Sequence, residues 1–259
     1  MQPYPEGFYK DRDSATRESV NEIIRLLLEL FRPASVIDLG CGVGTWLAVF
    51  QELGIRDVCG VDGEWLDPSS LRIPKDKFIS VDLSRPFRVE KKFDLAVSLE
   101  VAEHLLPESV ASLVDSLCSL APVVLFSSAI PGQGGINHLN EQWQDYWAKQ
   151  FSQKGFAAID CIRRQTWHNE KVLFWYAQNI LLFVQNDFLA GHPELKEAAD
   201  RTDMSQLSIV HPKMQRLMDD RLAGAYDAPN LPIRKTLKAL PAALAMAIRR
   251  RLKNSSGKS

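Results

Sequence analysis

The most constraining stretch of this chain is Val36-Ile37-Asp38-Leu39-Gly40-Cys41-Gly42-Val43-Gly44-Thr45-Trp46. Apolar residues around an acid predict a short buried strand, and the glycines after it predict a sharp turn into a helix. Glycine at alternate positions removes the Cβ atoms that would hold a ligand away from the backbone amides. Asp38, at the strand's end, would face the crevice in which open α/β sheets bind their ligands. The spacing G-x-G-x-G differs from the G-x-G-x-x-G that seats a pyrophosphate on a helix N-terminus. An acid ahead of the glycines also suits a cationic ligand better than a phosphate. A glycine-rich turn in some other α/β protein is the competing explanation.

The strand ends further along the chain weigh against that competitor. Residues 57–62 read as a second strand closing on Asp62, which lies 18 residues beyond Gly44 and is followed by Gly63. A carboxylate there accepts hydrogen bonds from two ribose hydroxyls. Residues 78–83 predict a third strand, with an acid at Asp82 and an apolar Leu83. Residues 93–98 predict a fourth, continued by Leu99-Glu100-Val101-Ala102-Glu103-His104-Leu105. A helix over 107–121 and a fifth strand over 122–127 come next. A glycine-rich loop, 129–143, carries polar and aromatic residues to the same crevice. A helix over 140–154 and strands over 157–162 and 174–184 complete the pattern. Upstream, Ser14 reads as the N-cap of a helix with Val20, Ile23, Ile24, Leu27, Leu28 and Phe31 on one face, ended by Arg32-Pro33.

With its acid, glycine loop and three further strand ends in order, the chain resembles the class I S-adenosylmethionine-dependent methyltransferases. The resemblance spans roughly residues 15–185. It implies an α/β, doubly wound, mostly parallel seven-stranded sheet of Rossmann-like type, whose last strand runs antiparallel between its neighbours. It places S-adenosylmethionine against Asp38, Gly40, Cys41, Gly42, Gly44, Trp46, Asp62, Gly63, Asp82, Leu83 and Leu99, with Asp82 accepting from the adenine amino group. Residues 132–155, with Asn137-His138 and Glu141-Gln142-Trp143, look like a bacterial small-molecule and glycan methyltransferase group. In such enzymes the leading helix flanks the cofactor pocket, which makes Tyr9, Lys10 and Arg12 candidate lid residues.

Methyl transfer from a sulfonium asks mainly for alignment and, at an oxygen nucleophile, removal of a proton. His138, on the loop after the fifth strand, is the candidate base, with Glu141 and Trp143 beside it as catalytic candidates. Trp143 is the candidate substrate wall, since an aromatic face stacks on sugar or ring carbons. Trp143, Tyr146 and Trp147 share one helix face, so core packing is the expectation for at least one. Glu100, Glu103, His104 and His138 resemble the metal set of ubiquinone-type O-methyltransferases and small-RNA 2′-O-methyltransferases, where a divalent cation (Mg, Mn or Zn) holds vicinal hydroxyls. The run E-V-x-E-H, with Glu100, Glu103 and His104, also recurs in relatives for which no metal is implied, where Glu103 and His104 brace the cofactor loop.

The expected reaction is therefore methylation of a small-molecule acceptor, at a hydroxyl oxygen of a sugar, glycan or phenolic metabolite. RNA 2′-O-methylation and a non-catalytic, cofactor-binding partner subunit are the rivals. Eight basic residues and no acid from Arg234 to Ser259 leave the remainder of the chain at about −9 from a net charge of −1, which disfavours nucleic acid as the main domain's partner. The tail reads first as a solvated end and second as a helix at an anionic membrane surface. Four scattered cysteines predict reduced thiols, and the N-terminus has no signal-peptide character. Both point to the cytoplasm, with the inner face of the membrane as an extension; a homodimer is the candidate assembly. Residues 1–186 are expected to form the methyltransferase domain, and 187–259 a helical, basic extension with a linker at 227–232.

Overall fold

A computed structural model describes residues 8–226, with side chains from 15 to 224. Seven strands form one sheet: β1 Ser35–Leu39, β2 Asp57–Asp62, β3 Phe78–Ser80, β4 Leu95–Leu99, β5 Val123–Ser127, β6 Phe156–Ile159 and β7 Leu181–Gln185, in the order β3-β2-β1-β4-β5-β7-β6. The first five run parallel, with Asp38 opposite Gly60 and Val97. β7 lies between β5 and β6 and is antiparallel to both, as the resemblance implied. Every residue of β1, β4 and β5 is buried, as expected where helices cover both faces of a parallel sheet.

Alternation along the strands divides the core. Val36, Val58, Leu95, Val97, Val123 and Leu125 pack with Val20, Ile23, Ile24 and Leu27 of α1 (Phe8–Leu30) and with Leu47 and Phe50 of α2 (Thr45–Glu52). Ile37, Leu39, Ala96, Val124, Phe126 and Phe183 pack on the other face with α3 (Val110–Leu120) and α4 (Gln144–Ser152), where the Phe151 and Phe183 rings stack at 3.9 Å. All four cysteines are free. Among the described residues no helix is long and apolar enough to cross a membrane.

Several expected boundaries move. α1 begins at Phe8, so Ser14 sits inside the helix and does not cap it. β3 stops at Ser80, leaving Asp82 and Leu83 in the following turn. The helix expected over 140–154 is the shorter α4, because 140–143 are drawn into the loop by backbone bonds to Glu103 and Ala129. The long strand expected over 174–184 is a helical turn, α6 (Phe174–Asn179), followed by β7. α5 (Arg163–Thr166), α7 (Asn186–Leu189), α8 (Pro193–Asp200) and α9 (Pro212–Tyr226) complete the helices. The chain divides into two compact units, Met1–Met214 and Gln215–Ser259, and all seven strands lie in the first. The side chains of Tyr9, Lys10 and Arg12, the 227–232 linker and the basic tail lie outside the described residues.

The turn out of β1 makes a demand on one glycine. Gly40 has φ 86°, and a Cβ there would sit 2.3 Å from Val101 Cγ2. Left-handed backbone and a steric clash act together, so Gly40→Ala is expected to lower stability by about 2–4 kcal/mol. Thermal unfolding measures this. Adding Val101→Ala should recover part of the loss, since it removes the clash and leaves the φ penalty.

Candidate active site

The crevice opens at the carboxyl ends of β1, β2, β4 and β5. On its β1–β2 side the amides of Gly40 and Cys41 donate to the Val61 carbonyl at 2.7 and 3.1 Å, folding the loop over the end of β2. Asp62 then ties loop and strand together: Oδ2 accepts from Gly42 N and Oδ1 from Gly63 N, each at 2.7 Å. Burial raises both the Asp62 and the Asp38 carboxyl, Asp38 further through the charge of Asp62. Cys41 is buried and its thiol is raised well above the ordinary range, so it acts as packing. Trp46 is buried edge-on against Tyr176, with ring centres 5.5 Å apart. Leu83 is buried. Asp82 is exposed and held in a turn, its Oδ1 accepting from the Ser84 amide and hydroxyl at 3.0 and 2.7 Å, which keeps the carboxyl below the usual range.

The β4–β5 side is built from amides and carboxylates. Glu100, directly beyond Leu99, has φ 55°, a left-handed conformation that costs roughly 1–2 kcal/mol for a residue with a side chain. Its amide donates to the Ser127 carbonyl and hydroxyl, both at 3.1 Å. Its carboxylate accepts from Gln133 Nε2 at 3.0 Å and Asn179 Nδ2 at 3.2 Å. Gln133 Oε1 in turn accepts from Asn179 and from Gln178, whose own Oε1 receives the His211 amide at 2.9 Å. Gln133, Gln178 and Asn179 had no place in the sequence reading. The one signal was a polar pair, Gln178-Asn179, inside the apolar run from Leu173 to Val184.

His138 and Glu141 pair on the loop after β5. Nδ1 of His138 lies 2.8 Å from Glu141 Oε1, so the carboxylate accepts a hydrogen bond from Nδ1–H and favours the tautomer whose lone pair is on Nε2. The same carboxylate accepts from Gly134 N at 2.6 Å and Gly132 N at 2.8 Å, fixing the loop around the imidazole. His104 meets His138 edge-on at 4.9 Å, with its Nδ1 3.3 Å from the Asn137 carbonyl. Glu103 is buried; Oε2 accepts from Ser128 at 3.1 Å and Oε1 has no partner. Burial raises its carboxyl well above the ordinary range, and the charge of Glu100 adds to the shift. Glu103, His104 and His138 each offer a ligand-type atom within 4.8 Å of the others; Glu100 stands outside that trio. Trp143 precedes α4 and is exposed, Tyr146 is half-buried and Trp147 is core.

Burial, and then the nearby His138, lower His104 to about 4, so it is neutral at pH 7. The unfolded chain binds this proton near its ordinary value of about 6.5 and the folded chain does not. Stability therefore falls as pH drops from that value toward 4, by at most about 3 kcal/mol. Chemical denaturation of the wild type and of His104→Gln across this window should show their stability difference shrinking as pH falls.

A parallel sheet with one reversed strand, a glycine loop after β1 and acids at successive strand ends together define a Rossmann-like methyltransferase fold. The methyltransferase-domain family matches residues 12–169, and the chain belongs to that family. Among solved structures it is similar to magnesium protoporphyrin IX methyltransferase from Synechocystis with bound S-adenosylhomocysteine (19 % identity, 72 % of this chain and 90 % of that one, TM-score 0.51). It is also similar to DesVI of Streptomyces venezuelae (17 %, 69 % and 95 %, TM-score 0.52) and to the methyltransferase domain of a bacterial Hen1 (17 %, 66 % and 98 %, TM-score 0.50). Proteins of curated function give no match.

Proposed function

We propose that this protein transfers a methyl group from S-adenosylmethionine to a hydroxyl oxygen of a small-molecule acceptor, with His138 as the base. The observation that carries the proposal is the 2.8 Å contact between His138 Nδ1 and Glu141, which engages Nδ1 and makes Nε2 the nitrogen that would receive the acceptor's proton. The acceptor oxygen attacks the sulfonium methyl in line. The carbon–sulfur bond breaks with its electron pair going to sulfur, and the hydroxyl proton passes to Nε2. Asp38, the glycines of the loop, Trp46, Asp62 and Gly63 hold the cofactor from the β1–β2 side, Leu99 lies beneath it, and Asp82 and Leu83 flank its base. Trp143 serves as a wall for the acceptor. Residues 1–186 are the methyltransferase domain in this reading, and 187–259 its extension.

A second reading adds a divalent cation held by Glu103, His104 and His138. It is favoured by the unpartnered Glu103 Oε1 and by the neutral state of His104. A metal there would lower the pKa of a bound hydroxyl. Calorimetric binding of S-adenosylmethionine with and without Mg, Mn or Zn, followed by metal analysis, tests both readings. Stoichiometric metal lost in His104→Ala supports the second, cofactor binding without metal leaves His138 as the base, and no cofactor binding overturns the function.

A further inference from the structure

Seven large apolar side chains are exposed among the described residues, and four collect around one place: Leu106, Ile136, Leu139 and Trp143, exposed by 38 to 56 %. Each lies within two residues of a member of the polar cluster. Leu106 is two beyond His104, Ile136 two before His138, Leu139 one after it, and Trp143 two beyond Glu141. The cluster is itself tight, with its imidazoles 4.9 Å apart and the Leu139 amide bonded to the Glu103 carbonyl at 2.7 Å. The four exposed side chains therefore surround that cluster along the chain, a rim of apolar surface of the kind that marks a recognition site.

Two further features narrow the occupant. From residue 93 to residue 148, the stretch that supplies β4, β5 and this loop, there is no lysine or arginine. A polyanion finds no counter-charge on this stretch, and its affinity depends on such charges. Two of the loop's polar side chains also turn inward, Glu141 to the amides of Gly132 and Gly134 and Gln133 to Glu100, which leaves Asn137 as the exposed polar side chain among the apolar ones from 136 to 139.

Resting on the methyltransfer reading above, we infer that this rim receives the apolar body of an uncharged amphiphilic acceptor whose hydroxylated head enters the crevice toward His138. The rim then sets specificity and the imidazole the chemistry.

The test titrates two series of neutral amphiphiles, n-alkyl β-glucosides and n-alkylphenols of growing chain length, below their micelle-forming concentrations. Each is titrated into the protein with and without S-adenosylhomocysteine. Affinity should rise along at least one series, by up to about fourfold for each methylene buried. Ile136→Ser with Leu139→Ser, both at exposed positions, should flatten that dependence while cofactor binding stays unchanged. Affinity independent of chain length in both series, or a dependence the double variant leaves untouched, overturns the inference. So does rim-dependent binding to phosphatidylcholine vesicles without binding of dispersed amphiphile, or rim-dependent self-association in sedimentation. Loss of cofactor binding in the wild type would instead sink the methyltransfer reading, and the titrations without S-adenosylhomocysteine still test the rim.

Discussion

His138→Ala is expected to bind S-adenosylmethionine as the wild type does and to turn over about 10²–10⁴-fold more slowly, the usual contribution of a positioned base. Nothing on the cofactor side leans on this imidazole: the loop after β1 is held by Asp62 and Val61, and the described contacts of His138 are Glu141, His104 and the backbone at Gly135. Glu141→Gln separates orientation from proton transfer. The amide leaves Nε2 chemically intact, removes the charge that fixes the Nδ1 proton, and replaces one acceptor oxygen by a donor facing backbone N–H groups. Its turnover should fall at least tenfold, and limited proteolysis should cut near Gly132 and Gly134 faster. Single-turnover rates with saturating cofactor check both variants. A His138→Ala enzyme at wild-type speed would remove the base from the mechanism.

Asp62→Ala should fail earlier, at cofactor binding. The substitution strands two amides, Gly63 N in a buried position and Gly42 N in a half-buried one, and an unsatisfied buried group costs about 1–3 kcal/mol. The cost falls on the loop geometry that the cofactor needs, so affinity should drop by about 100-fold or more, with a lowered melting temperature. Asp62→Asn keeps the shape but can accept from only one of the two amides, so it should fall between wild type and alanine. Calorimetry separates the three. Equal affinities would mean that the loop keeps its shape without the carboxylate.

The turn between β1 and α2 was legible because its logic is local. The glycines, the acid before them and the acid ending β2 lie at strand ends that apolar runs announce. The reversed β7 came with the family resemblance, and Glu141 stood beside His138 only as a second catalytic candidate, its hydrogen bond to Nδ1 unannounced. The parts that stayed hidden depended on distant partners. The Phe174-Trp175-Tyr176-Ala177 run has strand-like composition, yet it forms a helical turn because Tyr176 packs against Trp46, more than a hundred residues away. Glu100 read as a metal ligand through its resemblance to a known ligand set. Its left-handed backbone and its bonds to Gln133 and Asn179 depend on loops that no local pattern links. Asp62 read as a ribose acceptor, and nothing in its neighbours announced the two backbone amides it also serves.

The loop that carries His138 braces itself, and this has a consequence for how specificity can change. Glu141 draws Gly132, Gly134 and His138 together within a span of ten residues, and the loop's ties to Glu103 and Ala129 run through their backbone carbonyls, which any side chain supplies. Two of its residues reach out to particular side chains: Gln133 to Glu100, Gln178 and Asn179, and His138 to the ring of His104. The stretch from 130 to 143 is therefore a cassette: exchanged with Gln133 and His138 kept, it can be retuned while the loop after β1 stays as it is.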